Sequence, residues 1–316
     1  MSKKILLSGV KPTGAPHIGN YFGAMKQFVD LQNEYEAYIM IADYHALNFI
    51  QNAREMKKNI INVLLDYLAI GLDPKKVTLF KQSDINEHTE LTCIFDTITT
   101  MPYLMRAHAY KDAEAKNKEI CAGTFNYPML MAADILLYSP DIVPVGQDQK
   151  QHVEIARDTA EKFNRIFGET FELPEPMILK DMEIVPGTDG RKMSKSYNNH
   201  IPLFAEYEEI KKCVMSIVTD SSEGIPKNVY AIHNLFRPAS ELLPIYESKA
   251  GKYKELKELL IEDMEKFIAP MREKRKEFAK NIPQALGILK AGNKKAKEIA
   301  SKKMEEVREK IGVKVY

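Results

Sequence analysis

Lys192-Met193-Ser194-Lys195-Ser196 places two lysines and two serines within five residues, just after Gly187 and Gly190. A lysine ammonium is a mobile point charge suited to phosphate. Serine hydroxyls also bond phosphate oxygens, and the glycines would let such a loop move. Taken alone, this pentamer reads as a solvated loop. A second segment changes its weight: Pro12-Thr13-Gly14-Ala15-Pro16-His17-Ile18-Gly19-Asn20 follows a short apolar run. A strand leading through glycines into a helix lets backbone approach a ligand closely, and the first helical N–H groups face an anion. His17 and Asn20 add side-chain donors at the same end. By itself this segment is also what a strand–turn–helix with a stray histidine looks like.

Two further runs carry polar groups in apolar surroundings. In Tyr127-Pro128-Met129-Leu130-Met131-Ala132-Ala133-Asp134-Ile135-Leu136-Leu137-Tyr138, Pro128 suits the first turn of a helix. Tyr127, Met131 and Asp134 then share one face at i, i+4 and i+7. A carboxylate in such a stretch is costly to bury without hydrogen bonds. It is either structural, bonded to backbone, or the acceptor for a ligand. The other run, Asp141-Ile142-Val143-Pro144-Val145-Gly146-Gln147-Asp148-Gln149-Lys150-Gln151-His152, is a buried strand, a glycine and a helix start. Asp148 with Gln151 has the spacing of a capping box.

Apolar patterning supplies the elements that must position these groups. Strands are predicted over residues 4–8, 38–42, 77–81 and 142–145. Helices are predicted over 18–31 and 54–70, and a long one runs from the 146 turn to 167. Strands separated by helices argue for an α/β fold with a parallel sheet, in which ligands bind at the carboxyl ends of the strands. Beyond residue 202 strand signals fade, and helices are predicted over 206–218, 227–236, 252–267, 270–280 and 294–311. The chain therefore divides into residues 1–200 and a mostly helical 201–316.

The 316 residues are 45% hydrophobic, enough for a sizeable core, and the net charge is +1. The charge is uneven: residues 248–316 hold 19 Lys and Arg against 11 Asp and Glu, so a basic end follows an acidic body. That suggests an anionic partner at the helical end. Cys93, Cys121 and Cys213 are far apart and form no Cys-x-x-Cys pair, which gives a zinc or iron–sulfur centre no support. They read as reduced thiols of a cytoplasmic protein. No apolar run approaches the roughly 20 residues of a membrane span.

The two phosphate-suited segments together resemble the HIGH and KMSKS signatures of class I aminoacyl-tRNA synthetases. The 127–138 and 146–164 runs resemble the bacterial tryptophanyl branch, and the likeness extends over nearly the whole chain. This resemblance implies a Rossmann-type catalytic core and a helical anticodon-binding domain, and it allows the last helix to pack back on the core. It implies that Lys11, Pro12, Thr13, His17, Gly19 and Asn20 bind ATP, with Asn20 standing in the fourth signature position. Lys11 stands where the family often has glutamine, so the role of that position is open. Gly146, Gln147 and Asp148 would lie along ATP, as would Met193, Ser194 and Ser196. Lys192 and Lys195 would neutralise charge on the β- and γ-phosphates, with Lys111 nearby. Ile184 and Val185 would offer backbone to the adenine. For L-tryptophan, Asp134 would accept the indole N–H, Met131 would pack on the ring, and Tyr127 and Gln149 would face the α-amino group. Val143 and His45, the latter in Asp43-Tyr44-His45, would lie in the same pocket.

The implied reaction is ATP-dependent activation of tryptophan to tryptophanyl-adenylate, then transfer to tRNA(Trp). ATP and Mg²⁺ would be required, no metal would be held by the protein, and the working form would be a homodimer. The alternatives are a tyrosyl-tRNA synthetase, in which Asp134 accepts from a phenol, and a synthetase-like RNA-binding protein without catalysis. A nucleotidyltransferase with a similar His-x-Gly motif would lack the lysine–serine loop.

Overall fold

A computed structural model describes residues 3–115, 119–178, 185–219 and 224–315, apart from the side chains of Ala109 and Asp148. Five strands form one parallel sheet in the order β3-β2-β1-β4-β5: β1 Ile5–Val10, β2 Glu36–Ile41, β3 Val77–Lys81, β4 Ile142–Val145 and β5 Glu175–Ile178. The inner strands are apolar on both faces, as a sheet covered on both sides requires. Leu6, Ile39, Ile41 and Leu79 join one core, and Leu7, Tyr38, Met40 and Phe80 join the other. Burying each such side chain is worth about 1.5–3 kcal/mol.

Short helices α1 Ile18–Asn20, α2 Lys26–Leu31 and α3 Asp43–Ala46 frame the strand ends, and α4 Ala53–Ala69 covers the first core. Between β3 and β4 come α5 Glu87–Ile98, α6 Met101–Leu104, α7 His108–Ala115, α8 Ala122–Phe125 and α9 Tyr127–Leu136. α10 Lys150–Phe167 joins β4 to β5 and packs on α9. The remainder is helical: α11 Tyr207–Met215, α12 Lys227–His233, α13 Ala239–Ser248, α14 Tyr253–Lys280 and α15 Ile282–Lys310.

Several expectations are corrected. β1 runs two residues past Ser8, its Gly9 and Val10 paired with Met40 and Ile41 of β2, and residue 9 is glycine because a Cβ there would stand 2.6 Å from the Met40 carbonyl oxygen. The helix predicted over 18–31 is interrupted by a π-turn at Tyr21–Met25. β5 is an unpredicted strand that contains Pro176, which an edge strand tolerates. α5 and α13 were also missed. α14 is continuous through Pro270, where a break was expected, with its apolar face packed on α4 and α11. α15 begins at Ile282 rather than at 294. Its first half joins one core through Ala285 and Leu289, and its second half joins the other through Ala296, Ala300, Met304 and Val307. It crosses the β3 edge at Gly292, where an added Cβ would fall 1.8 Å from the Leu79 carbonyl oxygen. Asn293 continues that contact, its Oδ1 accepting the Lys81 backbone N–H at 2.8 Å.

Candidate active site

The strand order reverses between β1 and β4, so the crevice beyond their carboxyl ends is where such a sheet binds ligands. The segment after β1 and the segment after β4 both open there. The lysine–serine loop is brought to the first of them. Leu203 N–H donates to the Pro16 carbonyl at 3.0 Å, and Ile18 N–H donates to the Ile201 carbonyl at 3.0 Å. These bonds tie the chain following the loop to the turn preceding α1.

The loop itself is held rather than loose. Met193 is buried in the core. Asn199 receives the Ser194 N–H on Oδ1 at 2.8 Å, and its Nδ2 donates to the Lys192 carbonyl at 3.1 Å and to Asp189 at 2.7 Å. Gly187 is a glycine because a Cβ would lie 2.3 Å from the Asn199 amide, so packing, not mobility, requires it. This leaves Lys195 directed across the 13–17 turn, its Nζ 3.4 Å from the Thr13 carbonyl oxygen.

His17 is the N-cap of α1. Its Nδ1 accepts the Asn20 N–H at 3.2 Å, and Asn20 Oδ1 accepts the His17 N–H at 3.0 Å. The first-turn N–H groups of Ile18 and Asn20 are thus already bonded within the protein, contrary to the expectation that they stand free for phosphate. What remains is positive charge. Burial, then the Lys195 ammonium, then His200 pull the His17 pKa down to about 4. Partial shielding from water lowers the Lys195 pKa as well, with the Asp66 carboxylate acting in the opposite sense. The Lys195 ammonium thus stands beside an imidazole that is neutral near pH 7, and a polyphosphate placed there would favour protonation of His17.

The second half of the site lies on α9 and α3. α9 starts at Tyr127 with Pro128 in its first turn, so Tyr127, Met131 and Asp134 share a face. The Tyr127 ring packs 4.3 Å from the His45 ring and 5.4 Å from the His152 ring, centroid to centroid. Lys11 bridges the halves, its Nζ 5.3 Å from the Tyr127 centroid and 4.9 Å from that of Phe49. Asp134 is buried, and its carboxylate accepts from His45 Nε2 at 2.8 Å, His88 Nδ1 at 2.6 Å and Gln82 Nε2 at 2.8 Å. Burial alone would raise its pKa, but the hydrogen bonds from His45 and His88 outweigh it and hold the carboxyl well below its usual range. Asp134 is therefore held by side chains rather than by backbone.

The architecture agrees with one family. The family model for class I tRNA synthetases of the tryptophan and tyrosine type matches residues 2–286. The chain belongs to this family. A tryptophan–tRNA ligase of Fusobacterium nucleatum is 49% identical over 97% of each chain. The crystal structure of tryptophanyl-tRNA synthetase from Campylobacter jejuni complexed with ADP and tryptophan is 44% identical, with a TM-score of 0.90 over 98% of this chain and 99% of that one. A tyrosyl-tRNA synthetase from Archaeoglobus fulgidus, 21% identical with a TM-score of 0.69, shares the fold.

Within this synthetase the predicted residues divide. Thr13, His17 and Lys195 come together, as do Lys11, Tyr127, His45 and Asp134. Pro12 and Val143 are buried, and Gly19 lies against the His17 ring, where a Cβ would meet Nδ1 at 3.0 Å. Lys192 and Ser196 are exposed, and Ser194 Oγ accepts the Ser196 N–H at 3.3 Å. Gly146, Gln147 and Gln149 follow β4, the last three residues of that turn forming a 3-10 helix at Gln147–Gln149. α10 has Gln149 as its N-cap with no side-chain cap bond, and Gln151 Oε1 accepts the His108 N–H; the Asp148 side of the expected capping box lies outside the described groups. Lys111 is exposed on α7 and makes no side-chain bond to the other candidates among the described residues. The Val185 carbonyl accepts the Met193 N–H, while Ile184 and the Asp148 side chain lie outside the described groups. Gln82, His88 and Tyr138 were missed. Gln82 follows β3 directly, at the carboxyl end of a parallel strand, which was the available signal. A separate cavity of about 880 Å³, walled by Leu47, Ile60, Ile61 and Leu289, holds none of these candidates.

Proposed function

We propose that this chain activates L-tryptophan with ATP and transfers it to tRNA(Trp). The observation that carries the reading is Asp134: a buried, ionised acceptor on the α9 face that also presents Tyr127. An acceptor so placed rewards a ligand that brings an N–H to the inner end of an aromatic pocket. Met131 and Val143 wall the ring, and Tyr127 with Gln149 faces the α-amino group. Over the 13–17 turn, Lys195, His17 and Thr13 take the ATP phosphates, with Pro12, Gly19, Asn20, Lys192, Met193, Ser194 and Ser196 around them. Gly146, Gln147 and Asp148 lie along the nucleotide, and Lys11 sits where amino acid and phosphate meet. Lys111 has the least support, since it stands apart.

No side chain acts as a nucleophile. The tryptophan carboxylate attacks the α-phosphate and pyrophosphate leaves, so catalysis consists of alignment and of cations placed where charge develops. Mg²⁺ arrives with ATP as part of the substrate.

The domains are residues 1–200 for catalysis and 201–316 for the anticodon, the basic end meeting the anionic tRNA. We infer pairing of two copies, supported by apolar surface exposed at Met101 on α6, at Met105 just after it and at Ile166 on α10. Charging tRNA is cytoplasmic work, and among the described residues no helix is long and apolar enough to cross a membrane. The test is aminoacylation of tRNA(Trp) and tRNA(Tyr) transcripts with each amino acid. Charging of tRNA(Trp) with tryptophan supports the reading; charging of tRNA(Tyr) with tyrosine replaces it.

A further inference from the structure

Three side chains hold Asp134, and two of them, Gln82 and His88, stand in no signature segment. Gln82 Nε2 reaches both carboxylate oxygens, at 2.8 and 2.9 Å. His88 Nδ1 bonds Oδ1 at 2.6 Å, and His45 Nε2 bonds Oδ2 at 2.8 Å. Gln82 and His88 are wholly enclosed, and each is oriented by a further group. Gln82 Oε1 accepts the backbone N–H of Tyr44 at 3.0 Å and of His45 at 3.4 Å. Turning the amide over would lose these bonds and those to Asp134 together. His88 Nε2 lies 2.9 Å from the Tyr138 hydroxyl.

The hydrogens can be assigned from these contacts. An ionised carboxylate only accepts, so His88 Nδ1 carries a hydrogen. Burial, then the Asp134 charge, pushes the Tyr138 hydroxyl well above its ordinary range, so it keeps its proton and donates to His88 Nε2. Every partner is satisfied when His88 is the Nδ1–H tautomer. His45 differs: its Nδ1 has no partner, and its ring faces Tyr127.

We propose that Gln82, His88 and Tyr138 are positioning residues for indole recognition, holding the Asp134 carboxylate in one orientation. This rests on the reading that Asp134 accepts the indole N–H. A carboxylate fixed in this way distinguishes a ligand with an N–H from one without; a carboxylate free to turn finds other donors and distinguishes less.

The experiment compares kcat/KM for pyrophosphate exchange with tryptophan and with its benzothiophene analogue, in which sulfur replaces the ring N–H. His88→Leu should lower the preference for tryptophan at least about tenfold, the worth of one hydrogen bond to a charged group, with the loss falling on tryptophan. Tyr138→Phe, which removes only a hydroxyl, should lower it about threefold. His88→Gln, which keeps an N–H donor, should restore most of the preference. Equal losses on both substrates would reveal a packing role and overturn the proposal. If His88→Leu does not fold, Tyr138→Phe decides: an unchanged preference overturns the proposal and a reduced one supports it. Asp134→Asn separates the two levels. A wild-type preference in that variant would remove the indole reading itself. A collapsed preference there, with wild-type preference in the His88 and Tyr138 variants, would remove the positioning alone.

Discussion

Lys195→Ala separates transition-state stabilisation from substrate binding. Its Nζ lies 3.4 Å from the Thr13 carbonyl oxygen, over the turn assigned to the phosphates, and it makes no contact with Tyr127, His45 or Asp134. A unit charge about 4 Å from a phosphate charge is worth about 4 kcal/mol at the effective dielectric of a partly exposed site. Part of that acts equally on bound ATP and cancels from the chemical step. The remainder compares with the loss of one preorganised donor, about 10²–10³ in rate. Adenylate formation, followed by rapid quench, should therefore slow about 100-fold or more. Tryptophan affinity should change less than about twofold, since no partner of the amino acid is lost. The chain contains no tryptophan, so the ligand's indole emission reports binding without background from protein tryptophan. A second readout is His17, whose pKa of about 4 is held down partly by Lys195 and should rise in the variant. Equal losses in rate and in tryptophan affinity would refute the assignment.

Three further outcomes follow from the packing and charge. Gly292→Ala should cost about 3 kcal/mol in urea unfolding, because its Cβ would need to displace the Leu79 carbonyl at 1.8 Å; a loss below about 0.5 kcal/mol would contradict the close crossing of α15 over β3. Arg275→Leu strands the buried Asp66, which Arg275 Nε holds at 2.5 Å and whose pKa burial raises to about 6 despite that pair. The loss should be about 3 kcal/mol near pH 7.5, smaller near pH 5 where Asp66 is neutral, and largely recovered by adding Asp66→Asn. His17 has its folded pKa lowered from 6.5 to about 4, so between these values the unfolded chain binds the proton that the folded chain refuses. The stability from neutral His17 is complete above pH 6.5 and declines as pH falls towards 4; His17→Asn should flatten urea midpoints across that window.

Strands apolar on both faces were legible: β3 and β4 fall on the predicted residues. Helix limits were less legible where tertiary contact overrides a local signal. Gly292 reads as a breaker but marks a close crossing, and Pro270 reads as a stop inside a helix kept continuous by its neighbours. The site segments were legible from residue types in tight spacing, and α9 places Tyr127, Met131 and Asp134 as the spacing required. Gln82 and His88 were not, since each is an isolated polar residue whose partner lies 52 or 46 positions away. The free N–H groups expected at α1 disappeared because the chain after the lysine–serine loop returns to occupy one of them.

The central claim is tested most directly by pyrophosphate exchange into ATP, run in parallel with each of the twenty amino acids and Mg²⁺. Exchange with tryptophan alone, lost on chelating Mg²⁺, is the predicted result. Exchange with tyrosine instead, or with no amino acid from folded protein, would contradict it.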